Sequence, residues 1–255
     1  MAIAHISISS AALERGTRLS VILPVDQAWY RKGPRPLKTL ILLHGLTGDE
    51  DNWLNYTNAA RLVREKPLCV IMPDGDNSFY ADSAATGARV MTFIGEELPR
   101  LCRAMLPLSP KREDTFIAGL SMGGFGAVNC ALTYPETFSC AAMYSAALIS
   151  ERVMKAEGAA GRHFRTLFDL NSVRAFSGCP ADYEALAERL AASGRPKPRI
   201  YTTCGTEDSL YPANAAFAEK LERLGYDVTW EARPGAHTWD FWEESLRRTL
   251  DWLPL

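Results

Sequence analysis

The sequence predicts a doubly wound α/β fold built on a mostly parallel sheet. Three observations carry that reading. Apolar runs of strand length recur along the 255 residues, and stretches with helical spacing of apolar residues separate them. Leu40-Ile41-Leu42-Leu43 is aliphatic at four consecutive positions, as a strand covered on both faces must be. A further run, Thr115 to Leu120, passes through Ser121 directly into a helix of small residues that stops at Tyr134-Pro135.

Bulk properties narrow the class. A chain that is 47% hydrophobic can bury a large core, and its length fits a single domain over residues 1–255. A formal net charge of −2 offers no footprint for nucleic acid or an anionic membrane. No apolar run is long enough to span a bilayer. Met1 to Ile8 carries no Lys or Arg and alternates polar with apolar residues, so it reads as a strand and not as a signal peptide. The six cysteines contain no Cys-x-x-Cys pair for a metal or redox site, and several sit in apolar runs. Buried reduced thiols, no metal and a cytoplasmic location are expected.

In chain order, residues 5–10 and 17–25 read as two strands joined by a turn at Arg15-Gly16. Ile6 and Ile8 share a face, which leaves His5 on the solvent side. The Gly33 to Pro36 loop leads to the strand ending at His44-Gly45, and Leu46 to Trp53 follows it. His44 is expected to brace that loop. Leu68 to Asp74 is another buried strand, opening into a polar loop that holds Phe79-Tyr80. The helix from Val90 to Met105 contains Pro99, which kinks it or divides it into two pieces.

Phe138 to Ser145 reads as the next strand, and Ser145, which has no sharp turn around it, is structural. Residues 148–197 break the α/β rhythm and form an expected small cap insertion, with His163 at its surface. Arg199 to Asp208 is a strand ending in acidic residues. A helix follows from Ala213 to Leu224, stopped by Gly225. Asp227 to Ala232 is the last strand, and the final helix aligns Trp242, Leu246, Leu250 and Leu253.

Ser121 lies in Gly119-Leu120-Ser121-Met122-Gly123, a Gly-x-Ser-x-Gly run between a strand and a helix. That is the context of the nucleophile elbow of α/β-hydrolases. The two glycines fit a turn too tight for a β-carbon, and the Met122 N–H at the helix start faces a developing oxyanion. A dinucleotide fingerprint beginning at Gly124 is the rival reading. It fails because Asn129 stands where the third glycine belongs, and no acidic residue ends the next strand.

Ser121, Asp208 and His237 follow one another in the chain, each just after an expected strand, so parallel strands would gather them at one edge. A serine hydroxyl needs a base, histidine supplies one near neutral pH, and a carboxylate fixes the imidazole tautomer. Glu207 competes with Asp208, Asp240 is more suited to capping the helix, and Asp182 falls in the insertion. Asp208 is favoured as the last acidic residue before the loop leaves its strand. The second oxyanion donor is expected at Leu46 N–H, after the strand that ends at Gly45. Trp53, Phe79, Tyr80, Leu210 and Trp239 are candidate walls of the substrate pocket.

His44-Gly45-Leu46, Gly119 to Gly124, Gly205-Thr206-Glu207-Asp208 and Gly235 to Trp242 together resemble the esterase D family of serine hydrolases. The resemblance covers nearly all the chain outside the insertion and looks closest to short-chain, tributyrin-type esterases. It implies cofactor-free cleavage of small-molecule carboxylic esters, with Ser121, Asp208 and His237 as triad and Leu46 and Met122 as oxyanion donors. S-formylglutathione hydrolases of this family usually carry Cys where this chain has Gly48, and His where it has Leu120 and Phe125. Thioester cleavage is therefore the second reading. Feruloyl and acetyl-xylan esterases share the fold, as do mycolyltransferase-like acyl transferases. A fold that only binds ligands would need a lost catalytic member. A homo-oligomer is left open.

Overall fold

A computed structural model of the chain describes every residue except 26, 34, 65, 84–85, 150–158 and 169–181. Its centre is an eight-stranded sheet in the order β1-β2-β4-β3-β5-β6-β7-β8. The strands are β1 (Ala2–Ser10), β2 (Arg15–Leu23), β3 (Lys38–Leu43), β4 (Leu68–Pro73), β5 (Thr115–Leu120), β6 (Cys140–Tyr144), β7 (Arg199–Gly205) and β8 (Val228–Arg233). The β1–β2 and β2–β4 pairs are antiparallel, and the remaining pairs from β4 through β3 to β8 are parallel. This is the α/β-hydrolase architecture. The strand order reverses at β3, which has β4 on one side and β5 on the other. Beyond the carboxyl ends of strands at such a switch point lies the crevice in which open α/β sheets bind ligands.

The continuous apolar runs are explained by two cores. Ile41 and Leu43 of β3 face one cluster, together with Cys69, Ile71 and Ile117. Leu40 and Leu42 face the other, together with Val70, Phe116 and Ala118. Residues along each strand alternate between faces, and helices cover both faces, so these stretches are apolar at successive positions. The first face is covered by α4 (Val90–Thr92), α5 (Leu98–Met105), α6 (Met122–Thr133) and α9 (Tyr211–Arg223). The second face is covered by α10 (Trp239–Trp252) with α2 (Asn52–Tyr56) and α3 (Ala59–Leu62). Helix α6 is buried from Met122 through Leu132, which is why its sequence shows no polar stripe.

Several local features depart from the expected ones. The β1–β2 turn occupies residues 11–14, with Glu14 at φ 54°, and β2 already includes Arg15 and Gly16. Helices α1 (Gln27–Lys32), α2 and α3 fill stretches that lacked clear periodicity. Between α4 and α5 the chain forms a π-helical turn over Phe93–Glu97, and Pro99 lies in the first turn of the helical piece beyond it. A proline cannot donate to a preceding carbonyl, so the wider turn sits where the ladder would otherwise break.

Much of the insertion lies outside the described residues. Its described helices are α7 (Ala159–Leu167) and α8 (Tyr183–Ala192). They dock on the first face through aromatic contacts, Phe164 on Phe79 (5.0 Å between centroids) and Tyr183 on Phe217 (4.7 Å). The His163 side chain and Cys179 lie outside the described residues. The other five cysteines are buried and free, and burial raises their thiol pKa values, that of Cys102 to about 12. Among the described residues no helix is long and apolar enough to cross a membrane.

Candidate active site

Strand β5 ends at Leu120 and α6 starts at Met122, so the whole change of direction falls on Ser121, at φ 53° and ψ −115°. A non-glycine residue there is strained by about 1–3 kcal/mol, and the surrounding bonds hold it in place. Its N–H donates to Tyr144 O (2.8 Å), and its carbonyl accepts from Phe125 N (3.1 Å) and Ala147 N (2.9 Å). The flanking glycines are required by backbone contact. A β-carbon on Gly123 would stand 2.6 Å from the carbonyl oxygens of both Leu43 and His44, and one on Gly119 would collide with the backbone of Gly123. The elbow therefore presses the start of α6 against the end of β3.

His237 comes from the loop between β8 and α10. Its Nδ1–H donates to Asp208 Oδ2 (2.7 Å), and its Nε2 accepts the Ser121 hydroxyl at 3.0 Å. Asp208 is buried, and its second oxygen accepts the Leu210 N–H (2.9 Å). The carboxylate thus fixes the tautomer that leaves Nε2 as the base. The acid and histidine loops are bonded together, Thr206 N to Arg233 O (3.0 Å) and Glu207 N to Gly235 O (3.0 Å). Glu207 itself is exposed, and Asp240 lies in the first turn of α10 behind Thr238, the residue that precedes the helix.

The loop after β3 is braced by His44, as expected. Its Nδ1–H donates to Gly45 O (2.7 Å), and its Nε2 accepts the Gly75 N–H (2.9 Å). That pattern needs a neutral ring, and burial holds the His44 pKa below its ordinary value. Tyr80 donates its hydroxyl to His44 O (3.1 Å), and Thr47 N–H donates to Asn77 Oδ1 (2.6 Å). These bonds set Gly45, the residue before Leu46, beside the elbow: a β-carbon on Gly45 would be 3.7 Å from that of Ser121. Met122 N–H opens a helix and so has no partner one turn earlier within it.

A cleft of about 440 Å³ opens over Ser121 and His237. Gly45, Leu46, Thr47 and Asn52 line one part of it, Leu120 another, and Tyr56, Trp239 and Trp242 the rest.

The Esterase family profile matches residues 10–253. The chain belongs to the Esterase family. Over 99% of its length it is 34% identical to an acetyl esterase of Caldicellulosiruptor saccharolyticus, covering 98% of that protein. It superposes on a substrate-bound fluorophosphonate-binding serine hydrolase of Staphylococcus aureus with TM-score 0.89 and 34% identity, covering 99% of this chain and 98% of the other. An S-formylglutathione hydrolase of Staphylococcus aureus matches at TM-score 0.87 and 32% identity, with the same coverage.

In this Esterase-family chain the lining of the cleft differs from the walls expected from sequence. Trp239 lines it. Trp53 lies beneath, fully buried, with Nε1 donating to Leu43 O (3.0 Å) and its ring edge-on to Trp239 (5.6 Å). Phe79 and Tyr80 are buried in the core on the opposite face of the sheet, Phe79 against Phe125 (5.8 Å). Leu210 is half-buried and precedes α9. Phe79 and Tyr80 follow β4 and face α6, whereas the cleft opens on the α10 side. Tyr56, Asn52 and Trp242 were not anticipated as walls. Trp242 was legible as part of the apolar stripe of α10, but Tyr56 stood in a stretch with no periodic signal.

Proposed function

We propose that the protein is a cytoplasmic serine carboxylesterase that hydrolyses short acyl esters through an acyl-enzyme, with Ser121 as nucleophile, His237 as base and Asp208 as the orienting acid. The observation that carries this reading is the pair of bonds at His237, 2.7 Å to Asp208 and 3.0 Å to Ser121. His237 accepts the hydroxyl proton as Ser121 Oγ attacks the ester carbonyl, and the new oxyanion is held by the N–H groups of Leu46 and Met122. The carbonyl re-forms, the alcohol leaves with the proton from His237, and water repeats the sequence to release the acid. The five buried free thiols support a reducing compartment.

Two relatives' names frame the substrate. The acetyl esterase matches along nearly the whole chain, and the S-formylglutathione hydrolase structure supports thioester cleavage as a second reading. The cleft favours the first. Among the described residues, no Lys or Arg lines it to meet the carboxylates of a glutathione ester. Ser121→Ala should lower kcat on p-nitrophenyl acetate by a factor on the order of 10⁶ while leaving the fold intact; near-normal turnover would refute the assignment. Rates on a C2 to C8 acyl series, on feruloyl and acetyl-sugar esters and on S-formylglutathione would rank the substrates, with short acyl esters expected first.

A further inference from the structure

Four rings run outward from the catalytic centre in an unbroken row. The His237 and Trp242 centroids are 4.8 Å apart, Trp242 and Trp239 5.3 Å, and Trp239 and Tyr56 5.1 Å. The first two steps are edge-to-face, and the last is stacked, with an interplanar angle of 29°. All four line the same cleft. Tyr56, at its outer end, is 59% exposed, the most exposed large hydrophobic residue among the described residues. Trp239 is held from below by Trp53, itself pinned by its bond to Leu43 O. The row is therefore supported from beneath, buried at Trp242 and open to solvent at Tyr56.

The chemistry says which half of an ester meets this row. His237 must hand its proton to the departing alkoxide, so the alcohol oxygen lies at Nε2. Whatever is attached to that oxygen continues past His237, over the rings that adjoin it. An aromatic surface of this kind attracts flat faces, either another π-system or the C–H face of a saturated ring. The remaining polar side chains of the cleft, Thr47 and Asn52, are uncharged, so an ionised alcohol would lose hydration without gaining an opposite charge.

We propose that the Trp242–Trp239–Tyr56 row is the leaving-group subsite and selects esters of uncharged, ring-bearing alcohols over esters of open-chain alcohols. This rests on the serine esterase reading above. The ring can be aromatic or a sugar, and the two are separated by the substrates used.

The test compares acetate esters of primary alcohols, so that leaving-group reactivity stays similar. They are methyl acetate, n-heptyl acetate, benzyl acetate, cyclohexylmethyl acetate, 6-O-acetylglucose and 4-(acetoxymethyl)benzoate. The wild type should prefer benzyl or sugar esters to heptyl acetate and turn over the benzoate least well. Tyr56 is exposed, so Tyr56→Ala should leave folding unchanged. That variant should lower kcat/KM for the preferred ring ester by about 2- to 10-fold, the worth of one aromatic contact. The loss on methyl acetate should be smaller, so that the ratio of kcat/KM for the ring ester to that for methyl acetate falls, and Tyr56→Phe should retain the preference. An equal loss on heptyl and benzyl acetates, or no loss on any ring ester, overturns the proposal. A wild type inactive on all six and unreactive with a fluorophosphonate would instead refute the esterase reading itself.

Discussion

The side-chain amide of Asn214 bonds both backbone groups of Ala146, accepting its N–H at Oδ1 (3.0 Å) and donating from Nδ2 to its carbonyl (2.9 Å). The same Nδ2 donates to Leu210 O (2.9 Å). Asn214 is fully buried on α9. Ala147, next in chain, donates to the Ser121 carbonyl, and Leu210 donates to Asp208. One amide thus links the nucleophile turn to the acid loop.

Replacing that amide should loosen the triad from behind. Asn214→Asp keeps the shape but removes the two donated bonds, so kcat should fall by about 10- to 100-fold with little change in KM. A loss of stability alone would leave kcat per folded molecule close to that of the wild type. Phe217→Leu, on the same helix, supplies a destabilised control, and an equal kcat loss there would contradict the linking role.

The acid assignment separates two neighbours. Asp208→Asn should lower kcat by a factor on the order of 10⁴, since an amide at that position favours the wrong imidazole tautomer. Glu207→Gln, at an exposed side chain, should stay close to wild type. Comparable losses in both variants would point to another carboxylate.

Tyr80 tests the support of the oxyanion loop. Its ring fills space left by Gly75 and Gly126, where β-carbons would collide with it. Its hydroxyl bonds His44 O. Tyr80→Phe retains the ring and removes one buried bond, so unfolding free energy should drop by about 1 kcal/mol. Kcat should fall severalfold as Leu46 loosens. Gly126→Ala should cost more than Tyr80→Phe in the same denaturation assay.

His44 makes stability depend on pH in a definite direction. Burial lowers its folded pKa below the ordinary value of 6.5, against the opposing pull of its bond to Gly45 and the nearby Asp74. The unfolded chain therefore takes up the proton first as pH falls. The contribution of His44 is complete above about pH 6.5 and is lost as pH falls through the lower folded value. Urea denaturation at pH 8, 7, 6 and 5 should show a steeper decline for the wild type than for His44→Gln. Parallel slopes would show that the buried ring does not titrate in this range.

How much could be read from residues alone follows from the range over which each signal acts. The elbow was legible because strand, glycines, serine and helix are adjacent in sequence and each has its own steric reason. The strands Leu40–Leu43 and Leu68–Met72 were legible because burial on both faces leaves a continuous apolar run. Bracing by His44 was legible from its place at the end of β3. Apart from Leu46 and Trp239, the walls of the cleft were not. Whether Phe79 or Tyr56 faces the substrate depends on which side of the sheet the cleft opens, and that is set by the docking of α10, far along the chain. Asn214 was read only as part of a helix, since its three bonds join segments distant in sequence.

Mapping the site of fluorophosphonate attachment tests the central claim most directly. The wild type should take up one equivalent, with the added mass confined to the peptide that carries Ser121, and His237→Ala should slow the modification by orders of magnitude. Attachment to a different residue, or undiminished labelling of Ser121→Ala, would contradict the account.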